Sequence, residues 1–327
     1  MVNLYKGAAF EQTLFYLSFF FVLLFLLSHP GGLAWDKISK ALFVLSLCLA
    51  CLAIVEHCFD GFADLLKQLF HPMTHESLRR QSMVSFQNPG TFGAFMVIGY
   101  ILGLTVTRNI PTGLFLLLEI IFITAVVFSQ SRIALAMISF IFTIHSYIRL
   151  KKFRWGRLVF ALIMCSGLFL VSRMPRIKWM HTIMSLPVEF NYRVNLALTG
   201  RVSIWTGSLK VWSDHKVLGV GPGNSKHFLP SYLPYWLNDR QQHPHNLFLR
   251  VLCETGLIGL AAFLIFALHL FKPLSRRFLN MEFWPLWAFL FFQMFEEHTR
   301  DAFPALLLVL LTARAVQKES EIQQCAA

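Results

Sequence analysis

Long apolar runs separated by short polar segments dominate this chain. A helix needs about 20 mostly apolar residues to cross a bilayer, and helices of this kind are what such runs form. The pattern predicts about nine membrane-spanning helices. They cover residues 13–28, 38–56, 91–107, 110–129, 133–148, 156–172, 249–271, 281–296 and 302–316. The eighth run is short, and Pro285 interrupts it.

Composition agrees with a membrane protein. Hydrophobic residues make up 56% of the 327 residues and charged residues only 14%, whereas soluble domains average about 25% charged residues. The first run has no small-residue cleavage site, so we expect it to be an ordinary span. The predicted fold class is an all-α polytopic membrane protein. Its predicted parts are N-terminal helices over 1–172, a large loop over 173–248, and C-terminal helices with a short tail over 249–327.

The basic residues predict the orientation of the chain in the membrane. In the short loops they gather on one side, and cytoplasmic loops carry an excess of Lys and Arg. These residues are at positions 37, 40, 108, 149, 151, 152, 154, 157, 272, 276, 277, 314 and 318. We therefore expect the N-terminus and the loop 173–248 to face outward. Long loops are exempt from the rule, so the basic residues of 173–248 do not contradict it.

The outward loop itself is basic, because Lys and Arg outnumber Asp and Glu within it. A basic loop beside a membrane either binds anionic lipid headgroups or holds a phosphorylated ligand. The composition alone leaves both readings open.

The cysteines do not indicate a metal or redox site. Cys48 and Cys51 form a C-x-x-C pair, but the pair lies inside a predicted span and no second pair accompanies it. We expect these small residues to serve helix packing.

Within the outward loop, Thr199-Gly200-Arg201 precedes an amphipathic pattern that predicts a helix. Either Thr199 or Gly200 can cap this helix. Arg201 then lies in the first turn, where unpaired N–H groups and the helix dipole favour an anion. A cation at this position is consistent with a binding site for a negatively charged group. The pattern is also consistent with a solvated arginine on a helix at the membrane interface. The predicted apolar stripe is Val202, Trp205, Leu209 and Trp212.

A second arginine, Arg132, lies at the junction of the fourth and fifth runs, on the same outward side as the loop. It can hold an anion there, or it can extend to lipid headgroups as arginines at helix ends do. Glu119 lies in the middle of the fourth run, where we expect it to have a partner in the bundle interior.

The segment His243-Pro244-His245-Asn246 places titratable side chains before the seventh run. The unperturbed pKa of histidine is about 6.5, so it takes and releases a proton near neutral pH. Gly256 and Gly259 follow and open an apolar run, and we expect both to permit close helix packing.

Three stretches of this sequence together resemble the O-antigen ligase and polymerase superfamily, membrane glycosyltransferases that use polyprenyl-diphosphate glycans. His245-Asn246, followed after nine residues by Gly256-x-x-Gly259, is similar to the C-terminal motif of the superfamily. Arg132-Ile133-Ala134-Leu135 is similar to its arginine motif at a helix mouth. Thr199-Gly200-Arg201 with Trp205, followed by Gly219-Val220-Gly221, resembles the start of its large outer loop. The resemblance spans roughly residues 80–270.

The resemblance implies a GT-C-like helical fold whose active site faces the periplasm from the bacterial inner membrane, with no metal and no cofactor. It implies that His245 is the catalytic base and that Arg132 and Arg201 hold the donor diphosphate. The implied donor is an undecaprenyl-diphosphate-linked glycan and the implied acceptor a sugar hydroxyl of lipid A–core, with inversion at the anomeric carbon. Members usually have more spans than the nine predicted here. The implied supporting residues are His243, Asn246, Arg250, Glu254, Gly256 and Gly259.

Arg250 and Glu254 are four residues apart on the predicted seventh helix, a spacing at which opposite charges pair. An alternative role for Glu254 is to orient His245 or the acceptor. The glycine-rich stretch 219–224 follows no strand, which argues against a Rossmann or P-loop site; we expect a tight turn that can bring backbone close to a ligand.

Several activities remain open within this resemblance. An O-antigen polymerase and a protein O-oligosaccharyltransferase share the chemistry and differ in the acceptor. We favour the ligase because one basic outer loop directly precedes the histidine motif, while segment 57–90 is shorter. A transporter of lipid-linked glycans is the alternative from another class, but its fold would carry internal repeats, and the sequence contains none that we recognise.

Overall fold

The computed structural model describes residues 13–14, 17–18, 21–28, 34–59, 62, 65, 89–107, 110–150, 190–238, 243–275, 283–294 and 302–326. Every regular element among these residues is helical, as the all-α fold class requires. The chain divides into two compact units. We call residues 34–182 the bundle unit, and residues 1–33 with 183–327 the loop unit.

Four apolar helices form the described part of the bundle unit. They are α1 Trp35–Cys58, α2 Pro89–Val106, α3 Thr112–Ser129 and α4 Arg132–Leu150. The first three pack against one another, and α4 packs on α2 and α3. Glycines allow α1 and α2 to approach closely, since Gly99 lies against the side chain of Ser46 and Gly103 against the ring of Phe43. These four helices coincide with the second to fifth predicted runs.

Glu119 has partners inside the bundle unit, as its position in mid-run predicted. Its Oε1 accepts a hydrogen bond from the hydroxyl of Tyr100 at 2.8 Å, and the Nδ1 of His145 lies 3.7 Å from the same oxygen. Tyr100, Glu119 and His145 belong to α2, α3 and α4, and all three are buried. The polar groups therefore join three helices at one level of an otherwise apolar interior.

Residues 21–28 of the loop unit are helical, and between residues 190 and 326 the described part of the same unit contains seven further helices and one 3₁₀ turn. They are α5 Phe190–Ala197, α6 Arg201–Asp214, α7 Ser225–Phe228, the 3₁₀ turn Leu229–Tyr232, α8 Tyr235–Asn238, α9 Leu247–Ser275, α10 Trp284–Gln293 and α11 Ala302–Ala326. Helix α6 packs on α9 and on the 3₁₀ turn, and α11 packs on α9 and α10. Pro285 lies in the first turn of α10, where its missing N–H leaves no carbonyl without a partner. It therefore starts this helix and does not interrupt it.

The buried face of α6 differs from the predicted stripe. Ile204, Gly207, Ser208 and Val211 are buried, whereas Val202 and Leu209 are exposed. The prediction was wrong for Val202 and Leu209, whereas Trp205 is half-buried and packs against an apolar core that the loop unit supplies itself. This core contains Ile204, Val211, Leu229, Leu233, Leu237 and Cys253.

Within the part of the chain that the structure describes, two helical stretches are long and apolar enough to cross a membrane, Trp35–Cys58 and Leu247–Leu268. Three shorter apolar stretches accompany them, Gly90–Val106, Gly113–Ser129 and Arg132–His145. The nine-span topology stays a prediction, as do the divisions of the chain after residues 172 and 248. The predicted span 156–172 lies outside the described residues.

Candidate active site

The histidine motif forms the turn that leads into α9. His245 has a backbone φ of 49°, in the left-handed region that side chains other than glycine seldom occupy. Such a conformation costs on the order of 1 kcal/mol, and it persists where the surroundings impose it. Pro244 is buried, while His243 and His245 are half-buried. The turn thus holds a proton-handling side chain in a defined and partly open position.

Asn246 closes this turn by capping α9. Its Oδ1 accepts a hydrogen bond from the N–H of Leu249 at 3.0 Å, and its Nδ2 donates to the carbonyl of Met294 at the end of α10 at 2.8 Å. Asn246 so fixes the start of α9 against α10. The resemblance implied only a supporting role for it, although an Asn directly before an apolar helical run is the signal of an N-cap.

Glu254 is buried and has a partner for each carboxylate oxygen. Its Oε1 accepts hydrogen bonds from the Nε of Arg250 at 3.0 Å and from the hydroxyl of Ser225 at 2.7 Å. Its Oε2 accepts one from the N–H of Gly223 at 2.9 Å. The pair predicted with Arg250 is present, and the other two bonds tie the glycine-rich stretch to α9. These contacts support a structural role for Glu254, since both of its oxygens are engaged.

Helix α9 is interrupted at Gly256, whose φ of 64° and ψ of −161° lie outside the helical region. At this interruption, backbone groups on both sides of Gly256 lose their hydrogen-bond partners within the helix. The segment that follows α6 supplies other partners. The N–H groups of Val220 and Gly221 donate to the carbonyls of Cys253 and Glu254 at 2.9 and 2.8 Å. We call residues 216–221 the clasp, because it bonds to α9 on both sides of Gly256.

The roles expected for the glycines are therefore corrected. Gly256 does not serve helix packing: it adopts a positive φ and lies against the carbonyl of Val217, which leaves no room for a Cβ. Gly259 lies against the side chain of Thr255, one turn before it on α9. Gly219 of the clasp lies against the backbone of Cys253. A Cβ on Gly219 would be 2.5 Å from the carbonyl oxygen of Cys253. The glycine-rich stretch thus approaches the backbone of α9 closely.

Arg201 is the first residue of α6, as predicted, and it is half-buried. Gly200 is the N-cap with a φ of 81°, and Thr199 before it also has a positive φ of 57°. The buried Asn195 acts as the side-chain cap, because its Oδ1 accepts a hydrogen bond from the N–H of Ser203 at 3.1 Å. The N–H of Arg201 itself donates to the carbonyl of a preceding residue at 3.3 Å. First-turn N–H groups are therefore partly used within the protein, and the guanidinium is the group here best suited to an anion.

Helix α6 and the first half of α9 run side by side. The Sγ of Cys253 donates to the carbonyl of Ser208 at 3.0 Å. Further along, the N–H of Leu257 donates to the carbonyl of Lys216 at 2.9 Å. These contacts hold α6 and the clasp against α9.

Arg201 precedes Ser208 by seven residues and His245 precedes Cys253 by eight. The hydrogen bond from Cys253 to Ser208 therefore joins the helix that Arg201 starts to the helix that follows His245.

Arg132 has a matching position in the bundle unit. It is the first residue of α4, half-buried, and Gln130 before it ends α3 with a φ of 55°. Ser131 caps α4, since its Oγ accepts a hydrogen bond from the N–H of Ala134 at 3.4 Å. Gly93 of α2 leaves space for this turn, because a Cβ there would meet the Cβ of Ala134 at 2.7 Å. Arg132, like Arg201, is therefore a cation at the N-terminus of a helix, a position where the helix dipole disfavours positive charge.

Two titratable groups elsewhere in the loop unit have shifted pKa values. Partial burial, and then the charge of Lys226, lower the pKa of His227. The Tyr232 hydroxyl donates to Asp214 Oδ2 at 2.5 Å, and this bond is the main reason why the pKa of Tyr232 is raised. Among the described residues, no three His, Cys, Asp or Glu side chains form a group that could hold a metal ion.

Comparison with protein families matches part of the chain to a known family. Residues 117–264, a little under half of the chain, match the family model described as O-antigen ligase. The matched range contains every site residue predicted from the sequence, from Arg132 to Gly259. No curated protein matches the chain.

Proposed function

Because residues 117–264 are a domain of the O-antigen ligase and polymerase superfamily, we propose that this membrane protein is a ligase-type glycosyltransferase. In this proposal it moves a glycan from undecaprenyl diphosphate to a sugar hydroxyl of lipid A–core. The reaction takes place at the periplasmic face of the inner membrane. Apolar helices and the family match together indicate the membrane location, while the donor, the acceptor and the face belong to the proposal.

One observation supports the site more than any other. The three non-glycine residues with positive φ in the described part of the chain are Gln130, Thr199 and His245. Two of them lie two residues before an arginine that starts a helix, and the third is the histidine of the motif. Unusual backbone conformations of this kind persist where the surrounding structure imposes them, and they cluster at functional sites.

His245 is assigned the role of general base. The acceptor is a sugar hydroxyl, which is a poor nucleophile until its proton is removed. As the hydroxyl oxygen bonds to the anomeric carbon of the donor, the proton passes to an imidazole nitrogen of His245. The bond between that carbon and the diphosphate oxygen breaks, and undecaprenyl diphosphate leaves with the electron pair. Attack from the side opposite the leaving group inverts the anomeric carbon.

Arg132 and Arg201 are assigned to the diphosphate. Negative charge grows on its oxygens as the glycosidic bond breaks, so groups that bind this charge lower the barrier. A guanidinium offers parallel N–H donors that match two phosphate oxygens, which an ammonium group does not. Each arginine also stands at a helix N-terminus, where the dipole adds to the attraction for an anion.

The test is a transfer assay with the full chain in lipid nanodiscs. The donor is an undecaprenyl-diphosphate glycan, and three acceptors are compared: lipid A–core, a second donor molecule, and an unfolded protein rich in Ser and Thr. We expect glycan on lipid A–core and release of undecaprenyl diphosphate, both detected by mass spectrometry. Transfer only to a second donor molecule identifies a polymerase, and transfer only to protein identifies an oligosaccharyltransferase. If the donor stays intact and instead crosses the bilayer of a liposome, the protein is a transporter and the proposal is wrong.

A further inference from the structure

The clasp and the interruption of α9 lie at one level of the molecule. The N–H groups of Leu257 and Ile258 donate to the carbonyls of Lys216 and Val217 at 2.9 and 3.4 Å. The tip of the clasp therefore meets α9 where its apolar run begins. Gly219 and Gly256 permit this contact, since neither has room for a side chain.

The apolar side chains at this level are exposed together. Leu218 is 72% exposed and Val217 58% exposed, and beside them Ile258 is 58% and Leu257 49% exposed. Exposed large apolar side chains gathered in one place mark a surface that contacts a membrane or another protein. The same exposure continues along α9, at Ile265 and Leu268 among others.

Helix α9 indicates the bilayer as the partner. It contains a stretch long and apolar enough to cross a membrane, and its exposed apolar side chains at Leu257 and Ile258 follow the buried pair of Arg250 and Glu254. Val217 and Leu218 lie beside these two residues and continue the exposed apolar surface.

Polar and aromatic neighbours fit a headgroup region directly above this tip. Lys216 precedes the two apolar residues, and the indole N–H of Trp212 donates to the carbonyl of Lys216 at 3.3 Å. Lysines are attracted to anionic headgroups, and tryptophan is enriched at membrane interfaces. Lys216 and Trp212 thus stand next to the apolar tip in the order expected at a bilayer surface.

We infer that Val217 and Leu218 insert into the leaflet on the side of the loop unit, beside the start of the α9 span. The partner is the phospholipid bilayer itself. Because the clasp is bonded to α9 and continues from α6, this contact fixes the height of both helices above the membrane. Residues 247–255 of α9 extend no more than about 14 Å from Gly256, so the His245 turn stays close to the bilayer surface. The inference requires only that α9 crosses a membrane, and it does not depend on glycosyl transfer.

The test measures the depth of residue 218 in a bilayer. The six native cysteines of the full chain are replaced by Ala or Ser, Leu218→Cys is introduced, and the thiol is labelled with an environment-sensitive fluorophore. Nanodiscs that hold one copy of the protein contain lipids with a nitroxide on the acyl chain as quencher. Leu268→Cys, exposed on the apolar half of α9, is the lipid control, and Ser231→Cys, exposed in the 3₁₀ turn, is the water control. Val217→Cys is the second test position.

We expect labels at 217 and 218 to emit at shorter wavelength than the label at 231, and to be quenched at least half as strongly as the label at 268. Emission and quenching equal to those of the Ser231 control would overturn the inference. So would a label that is shielded from water only when liposomes contain many copies, because a second copy would then cover the patch. Each labelled protein is also assayed for glycan transfer, so that failure of the proposed function is seen separately from failure of insertion.

Discussion

The Arg132 turn of the bundle unit and the Arg201 turn of the loop unit have the same local design in different surroundings. In each, a residue with positive φ ends the preceding segment, an arginine starts a helix, and another polar side chain caps it. The Arg132 turn is capped by its own neighbour Ser131, and Gly93 of α2 lies against it. The Arg201 turn is capped by Asn195, which belongs to the preceding helix α5.

The shared design indicates a shared requirement. A cation at a helix N-terminus is disfavoured by about 0.3–1 kcal/mol, so neither arginine is placed there for the stability of its helix. The difference in capping indicates how each is held. Arg132 depends on the contact between α2 and α4, and Arg201 depends on the packing of α5 and α6 within the loop unit. Substitutions in the two turns can therefore be compared in pairs.

The largest effect is expected from the arginines themselves. Arg132→Ala and Arg201→Ala each remove a group that binds developing charge, and each should lower kcat/KM for glycan transfer by about 10²- to 10³-fold. The Lys variants keep the charge but lose the paired donors, so we expect a loss of about tenfold. Lys210→Met, which removes an exposed cation from α6, is the matched control and should stay within about twofold of the wild type. Lys variants with normal activity would contradict bidentate binding, and an effect confined to one arginine would break the equivalence of the two turns.

An intermediate effect is expected from the glycines that make room for each turn. Gly200→Ala brings a Cβ to 2.8 Å from the side chain of Leu237 at a φ of 81°, and Gly93→Ala brings one to 2.7 Å from Ala134. We expect each to lower the free energy of unfolding by about 1–3 kcal/mol and to raise KM for the donor, because the nearby arginine is displaced. Gly113→Ala is the control, since no atom lies within 4 Å of its Cβ position. Thermal unfolding in detergent and donor titration measure the two quantities. A Gly93 variant as stable as the Gly113 variant would show that the Arg132 turn does not depend on this contact.

The smallest effect is expected from the caps. Asn195→Ala removes two hydrogen bonds, one of 3.1 Å to the N–H and one of 2.6 Å to the hydroxyl of Ser203, and should cost about 1–2 kcal/mol. Ser131→Ala removes one long bond of 3.4 Å and should cost about 0.5 kcal/mol. The thermal unfolding midpoints of the two variants, measured in the same detergent, show which substitution is more destabilising. If Ser131→Ala is the more destabilising, the account of how each turn is held is wrong.

The sequence predicted the features that depend on neighbours along the chain. The helix starts at Arg132 and Arg201 follow from local spacing, as does the pair of Arg250 and Glu254 four residues apart. The apolar helices agree with the composition, and the match of residues 117–264 to the O-antigen ligase family model agrees with the motifs read in order. Predicting these features did not require knowing which distant segments of the chain contact each other.

Features that depend on distant segments were missed or wrong. Val202 and Leu209 were wrongly included in the apolar stripe of α6, because the leucines that cover its buried side, Leu229, Leu233 and Leu237, lie well beyond the helix in sequence. Gly256 was expected to pack helices, and its positive φ is explained only by the clasp, which lies more than 30 residues earlier. A glycine within an apolar helical run fits either role until its partner is known.

The central claim is that His245 takes the proton of the acceptor, and His245→Asn tests it most directly. Asparagine tolerates positive φ, so this variant keeps the turn at φ 49° and removes the base. His243→Asn, two residues earlier in the same turn, is the matched control. We predict that His245→Asn lowers kcat by about 10²- to 10⁴-fold with donor affinity within a few-fold of the wild type, while His243→Asn keeps most of the activity. A His245→Asn protein that transfers glycan at more than about a tenth of the wild-type rate would contradict the assignment of His245 as the base.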